Sequence, residues 1–75
     1  MIQAAQLRMA RAAMGWNIRQ LAKMADCNPG TISNVERGRS AMAVTMEKIA
    51  HCFLAEGITF SNDANGFGVR IDTRA

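Results

Sequence analysis

Two helix openings follow one another within WNIRQLAKMADCNPGTISNVERG, with almost nothing between them. Asn17 is a good N-cap, Gln20 stands where a capping box needs it, and Trp16 and Leu21 are placed for a hydrophobic staple. Asn28 repeats the cap, Pro29 suits the first helical position, where its missing N–H costs nothing, and Cys27 and Ile32 are spaced for a second staple. Ile18, Leu21, Ala22 and Ala25 give the earlier helix one apolar face and let it stop near Ala25 or Asp26. The later helix turns Ile32 and Val35 inward and ends at Gly38. Only about two residues are left between them, which forces a sharp corner between two short helices.

The flanking segments read just as locally. Gln3 to Met14 contains neither Gly nor Pro and is rich in Ala, Met, Arg and Gln, with Leu7, Ala10 and Met14 as an apolar stripe and Gly15 as its stop. After a loop over 39–43, a fourth helix is expected from about Val44 to Ala55, with Met46, Ile49, Ala50, Phe53 and Leu54 on one face and Gly57 at its end. The period then changes to two. Ile58 and Phe60 alternate with polar residues, and beyond SNDANG so do Phe67, Val69 and Ile71, which predicts a β-hairpin turning through SNDANG. A lone hairpin is marginal in water, so its apolar face must pack on the helices or on another subunit. The expected fold is mainly α, four helices followed by a C-terminal hairpin. At 75 residues it is one domain, with 1–56 as the helical body, 17–37 as its paired helices and 57–75 as the hairpin extension.

Composition narrows the function classes. A 49% hydrophobic fraction, much of it Ala and Met, fits closely packed helices with few aromatic anchors, and the methionines read as adaptable core. The net charge of +3 is unevenly spread: Arg8, Arg11, Arg19, Lys23, Arg37 and Arg39 face only Asp26 and Glu36 in their half, whereas acids outnumber bases after Ser40. That half is either a solvated basic face or a patch that attracts a polyanion. No N-terminal apolar run is long enough for a signal peptide or a membrane span, so a cytoplasmic protein without membrane contact is expected. Cys27 and Cys52 make neither a CxxC nor a disulfide framework, and His51 and Cys52, adjacent on a helix, diverge with no further ligand spaced for zinc. With no Ser-His-Asp set, phosphate loop or carboxylate pair either, no metal, no cofactor and no enzymatic activity are expected.

LRMARAAMGWNIRQLAKMADCNPGTISNVERGR resembles the core of the phage-repressor (lambda repressor and Cro-like) helix-turn-helix DNA-binding family over residues of about 5–55. The most specific pieces are Leu21-Ala22, the run from Thr31 to Ser33, and Glu36-Arg37-Gly38; GITFSNDANGFGVRI is similar to the C-terminal hairpin of a small bacterial subgroup. The resemblance implies a bacterial or phage regulator of transcription, a repressor that binds a palindromic operator in double-stranded DNA as a homodimer. It places base-reading positions on Pro29, Gly30, Thr31 and Asn34, with Ser33 beside them. The residues agree: with Ile32 and Val35 inward, Asn28, Pro29, Gly30, Thr31, Ser33 and Asn34 face outward, and an Asn amide can bond an adenine edge with both of its groups. Arg37 and Arg39, just past the helix, and Arg19 and Gln20, on the first turn of the helix before it, are the candidate phosphate contacts. Each of these is otherwise a solvated surface residue. The resemblance also implies a structural ion pair between Arg11 and Glu36.

Three departures from the family pattern bear on function. Asp26 stands where the turn usually has Gly, Ile18 where a phosphate-binding Gln is common, and Pro29 and Gly30 where larger side chains read bases. Direct readout is therefore sparse and DNA shape carries part of any specificity. The same departures motivate a rival from another class, a protein-interaction module whose helix-turn-helix scaffold binds another regulator or a toxin. The fourth helix and the hairpin are both candidate dimer surfaces, the hairpin either covering its own core or extending a sheet across two subunits.

Overall fold

A computed structural model describes residues 2–72. Four helices, α1 (Ala4–Met14), α2 (Ile18–Met24), α3 (Pro29–Glu36) and α4 (Ala43–Leu54), precede an antiparallel hairpin of β1 (Ile58–Asp63) and β2 (Gly66–Ile71). The expected class, a helical domain with a C-terminal hairpin, is the class observed.

The helix boundaries follow from their capping chemistry. Gly15 adopts φ 69°, the left-handed step that ends α1. At the start of α2 the Asn17 Oδ1 accepts from the Gln20 N–H, and the Gln20 Oε1 accepts from the Asn17 N–H, both at 2.8 Å. The Asn28 Oδ1 accepts from the Gly30 N–H at 2.8 Å, with Pro29 in the first turn of α3. Between α2 and α3 the chain turns through Asp26 at φ 53°, the one positive φ among the described non-glycine residues. A short polar side chain tolerates that geometry, so the corner forms without the usual glycine.

Leu7 and Ala10 of α1 meet Leu21, Ala22 and Ala25 at the second helix and its cap, Ile32 and Val35 of α3, Ile49 and Phe53 of α4, and Ile58 of β1 in one buried cluster. Aromatic contacts run through it: Trp16 lies 5.2 Å from Phe53, which meets Phe60 edge-on at 5.7 Å. They join the α1–α2 corner to the hairpin by way of α4.

Among the described residues, Gln6 is the one fully buried polar side chain. Its Nε2 donates to the carbonyl oxygens of Ser61 at 2.9 Å and Gly68 at 2.8 Å, one on each strand, while its Oε1 accepts from the Gln3 N–H at 2.7 Å. A side chain on α1 thus clips both strands to the helical body.

The structure corrects several sequence expectations. Helix α4 starts at Ala43, one residue before the expected Val44, and Leu54 is 55% exposed. Successive helical side chains are turned by about 100°, so with Ile49 and Phe53 buried Leu54 points away from the core. The turn is shorter than SNDANG: Ser61, Asn62 and Asp63 pair with Gly68, Phe67 and Gly66, which leaves Ala64 and Asn65. The Asp63 carboxylate accepts from the Asn65 N–H at 2.8 Å, and the left-handed step falls on Gly66. Met14 and Met46 pack on the core, but Met9, Met24 and Met42 are exposed.

Replacing Gln6 with Leu removes the clip and takes this donor from the Ser61 and Gly68 carbonyls. We expect a loss of about 1–3 kcal/mol in urea unfolding, and amide protection of the hairpin falling well before that of Leu21 and Ile49. Equal loss of protection in helices and hairpin would show that Gln6 does not hold the hairpin separately.

Candidate nucleic-acid interface

Helix α3 is half core and half surface. Ile32 and Val35 are buried and Glu36 retains only 7% exposure, whereas Asn28, Pro29 and Gly30 are exposed and Thr31, Ser33 and Asn34 are half-buried. The six candidate base-reading positions therefore lie on the part of α3 that the core leaves uncovered. Their side chains are not equally free. The Asn28 oxygen is committed to the cap, and a Cβ at Gly30 would sit 3.1 Å from it, so the absence of a side chain at 30 leaves the cap undisturbed. The first turn of α3 presents a proline ring and bare backbone, a surface of low relief.

Farther along, the Asn34 Oδ1 lies 3.5 Å from the Arg39 Nη1, a long contact that an incoming partner can displace. The Arg39 N–H donates to the Asn34 carbonyl at 2.9 Å, folding the chain back past Gly38, which has φ 87°. This return forms an open hollow lined by Thr31, Asn34, Ser40, Ala41, Met42 and Thr45. Sequence reasoning placed Ser40, Met42 and Thr45 in a loop or the start of a helix and gave them no role. Their one signal was their position just past the glycine that ends α3.

Arg37 caps the end of α3 and is exposed, as is Arg39. Arg19 and Gln20 are exposed on the first turn of α2, which packs directly on α3. The Gln20 oxygen is held in the capping box, leaving its Nε2 as the available donor. Ile18 is half-buried and packs against the core. The Lys48–Asp26 pair, 3.6 Å apart with both side chains well exposed, adds little stability.

The orientation of α3 is set from α1. The Arg11 Nε donates to the Glu36 Oε2 at 2.7 Å and its Nη2 to the Glu36 Oε1 at 3.0 Å, a two-pronged pair. The Arg11 Nη1 donates to the Trp16 carbonyl at 3.1 Å, and the Arg8 Nη1 donates to the Glu36 carbonyl oxygen. The hydrogen bond to Glu36 is the main reason the Arg11 guanidinium is held above its ordinary pKa. Burial pushes the Cys27 and Cys52 thiols up, away from the thiolate that nucleophilic or metal chemistry needs. Among the described residues, no three His, Cys, Asp or Glu side chains converge on a point that would hold a metal ion, and no helix is long and apolar enough to cross a membrane.

A family model described as Helix-turn-helix matches residues 7–53, from the middle of α1 to the last turn of α4, leaving the hairpin outside. No curated protein matches the chain.

Removing either partner of the Arg11–Glu36 pair strands a charge in a largely enclosed site. Arg11→Ala and Glu36→Ala should each cost about 2–4 kcal/mol in urea unfolding, and the double variant clearly less than their sum. Additive losses would mean that the two residues stabilise the fold independently.

Proposed function

Because the chain belongs to the lambda repressor/Cro-like helix-turn-helix family, we propose that it is a sequence-specific regulator of transcription, a repressor that binds a palindromic operator as a homodimer. DNA binding is what the family match supports directly. The observation that carries the finer reading is the uncovered face of α3, short polar side chains on a helix held rigidly by Arg11 and Glu36. An α-helix fits the major groove and reads base edges from its N-terminal turns. Asn34 takes the principal base contact, Thr31 and Ser33 bond bases or adjoining phosphates, and Pro29, Gly30 and the Asn28 amide nitrogen approach the groove closely. Arg37 and Arg39 bind phosphates beyond the end of α3, and Arg19 and Gln20 bind them from α2. These contacts supply affinity and register without sequence information.

One α3 reads only a few base pairs, so two-fold pairing doubles the site and sets half-sites about one helical turn apart. In this reading residues 1–56 are the DNA-binding unit, 57–75 complete the same domain, and the protein works in the cytoplasm. One observation favours a second reading. Pro29 and Gly30 carry no hydrogen-bonding side chain, and Ile18 packs inward, so the scaffold suits a protein-interaction module that binds another regulator or a toxin.

Selection from a random duplex pool near physiological salt separates the two. A two-fold symmetric motif is expected, with Asn34→Ala relaxing one position in each half-site by about 1–3 kcal/mol of discrimination. Arg37→Ala with Arg39→Ala should weaken binding to all sequences alike, and flatten the dependence of log K on log salt by about 2 per subunit. Retention of no preferred sequence, with binding indifferent to the two arginines, would turn the assignment to the protein-interaction module.

A further inference from the structure

The end of α2 and one flank of α4 form the walls of a groove of about 790 Å³ that opens to solvent. Its lining is mostly apolar. Met24 and Ala25 contribute from α2 and its cap, and Val44, Cys52 and Ala55 from α4 and its cap, with Val44, Lys48 and Cys52 recurring every fourth residue along one side of the helix. Met24 is 47% and Val44 52% exposed, so two large apolar side chains meet water there. The rim is acidic. With His51 neutral, Asp26, Glu47 and Glu56 stand against Lys48 alone, a formal −2 in a chain whose net charge is +3. Lys48 is drawn to Asp26 at 3.6 Å, whereas Glu47 and Glu56, both exposed, have no cationic partner among the described residues.

None of these residues belongs to α3, and Arg19 and Gln20 lie at the opposite end of α2, so the groove stands apart from the candidate base and phosphate contacts. Its charge repels a nucleic acid. A small ligand is held by burial of most of its surface, which an open groove does not provide. Strand addition needs an open sheet edge, and both walls here are helices. A helix needs only a trough for its apolar ridge. We propose that this groove docks an amphipathic helical segment of another protein, with apolar residues seated on Met24 and Val44 and Lys or Arg side chains meeting Glu47 and Glu56. Met24 suits the task, since an unbranched thioether side chain adapts to the shape it meets. The acidic rim steers a basic segment toward the groove and disfavours an acidic one. The inference goes beyond the DNA reading and does not depend on it, because no residue of the groove is used there.

The test selects from a displayed library of helical peptides of about 20 residues, with the full chain as bait and no DNA. Enrichment is expected for peptides whose apolar residues recur at helical spacing with Lys or Arg beside them. The most enriched peptide, made synthetically, should shift the NMR amide signals of Met24, Val44 and Cys52 and leave those of Thr31 and Asn34 in place. Its Kd should rise with salt, and rise about tenfold or more when the chain carries Glu47→Lys with Glu56→Lys. A selection that enriches nothing, or enriches acidic or uncharged peptides, overturns the proposal. So do shifts centred elsewhere, or a charge-reversed chain that binds as well as the original. Shifts of the same three amides on concentrating the chain alone would assign the groove to a second copy and also overturn it. If the charge-reversed chain fails to fold, salt decides: an affinity indifferent to it overturns the proposal. The duplex selection reads α3 separately, so failure here is not mistaken for failure there.

Discussion

A carboxylate at the last turn of α3 retains 7% of its exposure, and the arrangement of the helical body answers the charge it carries. Left alone, an ionised group in that position would be driven out or neutralised. Arg11 meets both of its oxygens, Arg8 takes the backbone carbonyl of the same residue, and Arg11 also reaches back to Trp16 at the α1–α2 corner. One cluster therefore ties together the end of α3, the middle of α1 and the entrance to α2. Apolar packing alone would hold α3 against the core yet allow it to rock. A two-pronged pair is directional and fixes the helix in rotation as well as position. Arg8 and Arg11 belong to the basic half of the chain, but their hydrogen bonds point into the fold. Of the two, only the Arg11 charge is answered by a carboxylate, so the positive field available to a polyanion is carried by Arg8, Arg19, Lys23, Arg37 and Arg39, all exposed.

Helix α1 serves as the beam for both attachments. Leu7 and Ala10 supply its core face, Arg11 reaches α3, and Gln6 reaches the hairpin. In a chain this short the apolar core is small and its margin of stability narrow. Directional polar contacts, each satisfied by its partners, then specify the arrangement that hydrophobic burial leaves loose. The division of labour is physical: alanines let helices approach, Phe53 fills the centre between Trp16 and Phe60, and Gln6 and Arg11 determine which element lies where.

What could be read from the sequence was what depends on neighbouring residues. The Asn17–Gln20 box, the Asn28–Pro29 entrance, the stops at Gly15 and Gly38 and the left-handed Asp26 are all set within a few residues, and all were legible. So was the uncovered face of α3, because Ile32 and Val35 define its opposite. Gln6 was not, since its partners lie on strands at the far end of the chain and a glutamine on a helix gives no sign of burial. Leu54 misled because hydrophobicity was counted before angle, and Asn62 and Asp63 because turn-forming residues are also tolerated on an exposed two-stranded ribbon. The exposed methionines escaped for a related reason: an unbranched apolar side chain sits as readily at a helix rim as in the core. The hollow between α3 and α4 depends on how the chain returns past Gly38, which no local pattern encodes.

The low relief of α3 and the rigidity imposed on it belong together. With proline and glycine leading the helix, the proposed reading leaves few side chains to discriminate between bases, and each good contact of that kind is worth about 1–3 kcal/mol. A reader with many contacts tolerates a small tilt, because some contacts survive it. A reader with few does not, since one rotation of the helix displaces Thr31, Ser33 and Asn34 together. In the proposed reading, holding α3 by a largely enclosed ion pair makes those few contacts reproducible, and a smooth first turn permits the close backbone approach through which groove width and shape are sensed. In the reading proposed here, discrimination comes from geometry repeated in two copies rather than from a dense contact list. In that reading the spacing between two rigid copies of α3 depends on the surface through which they join.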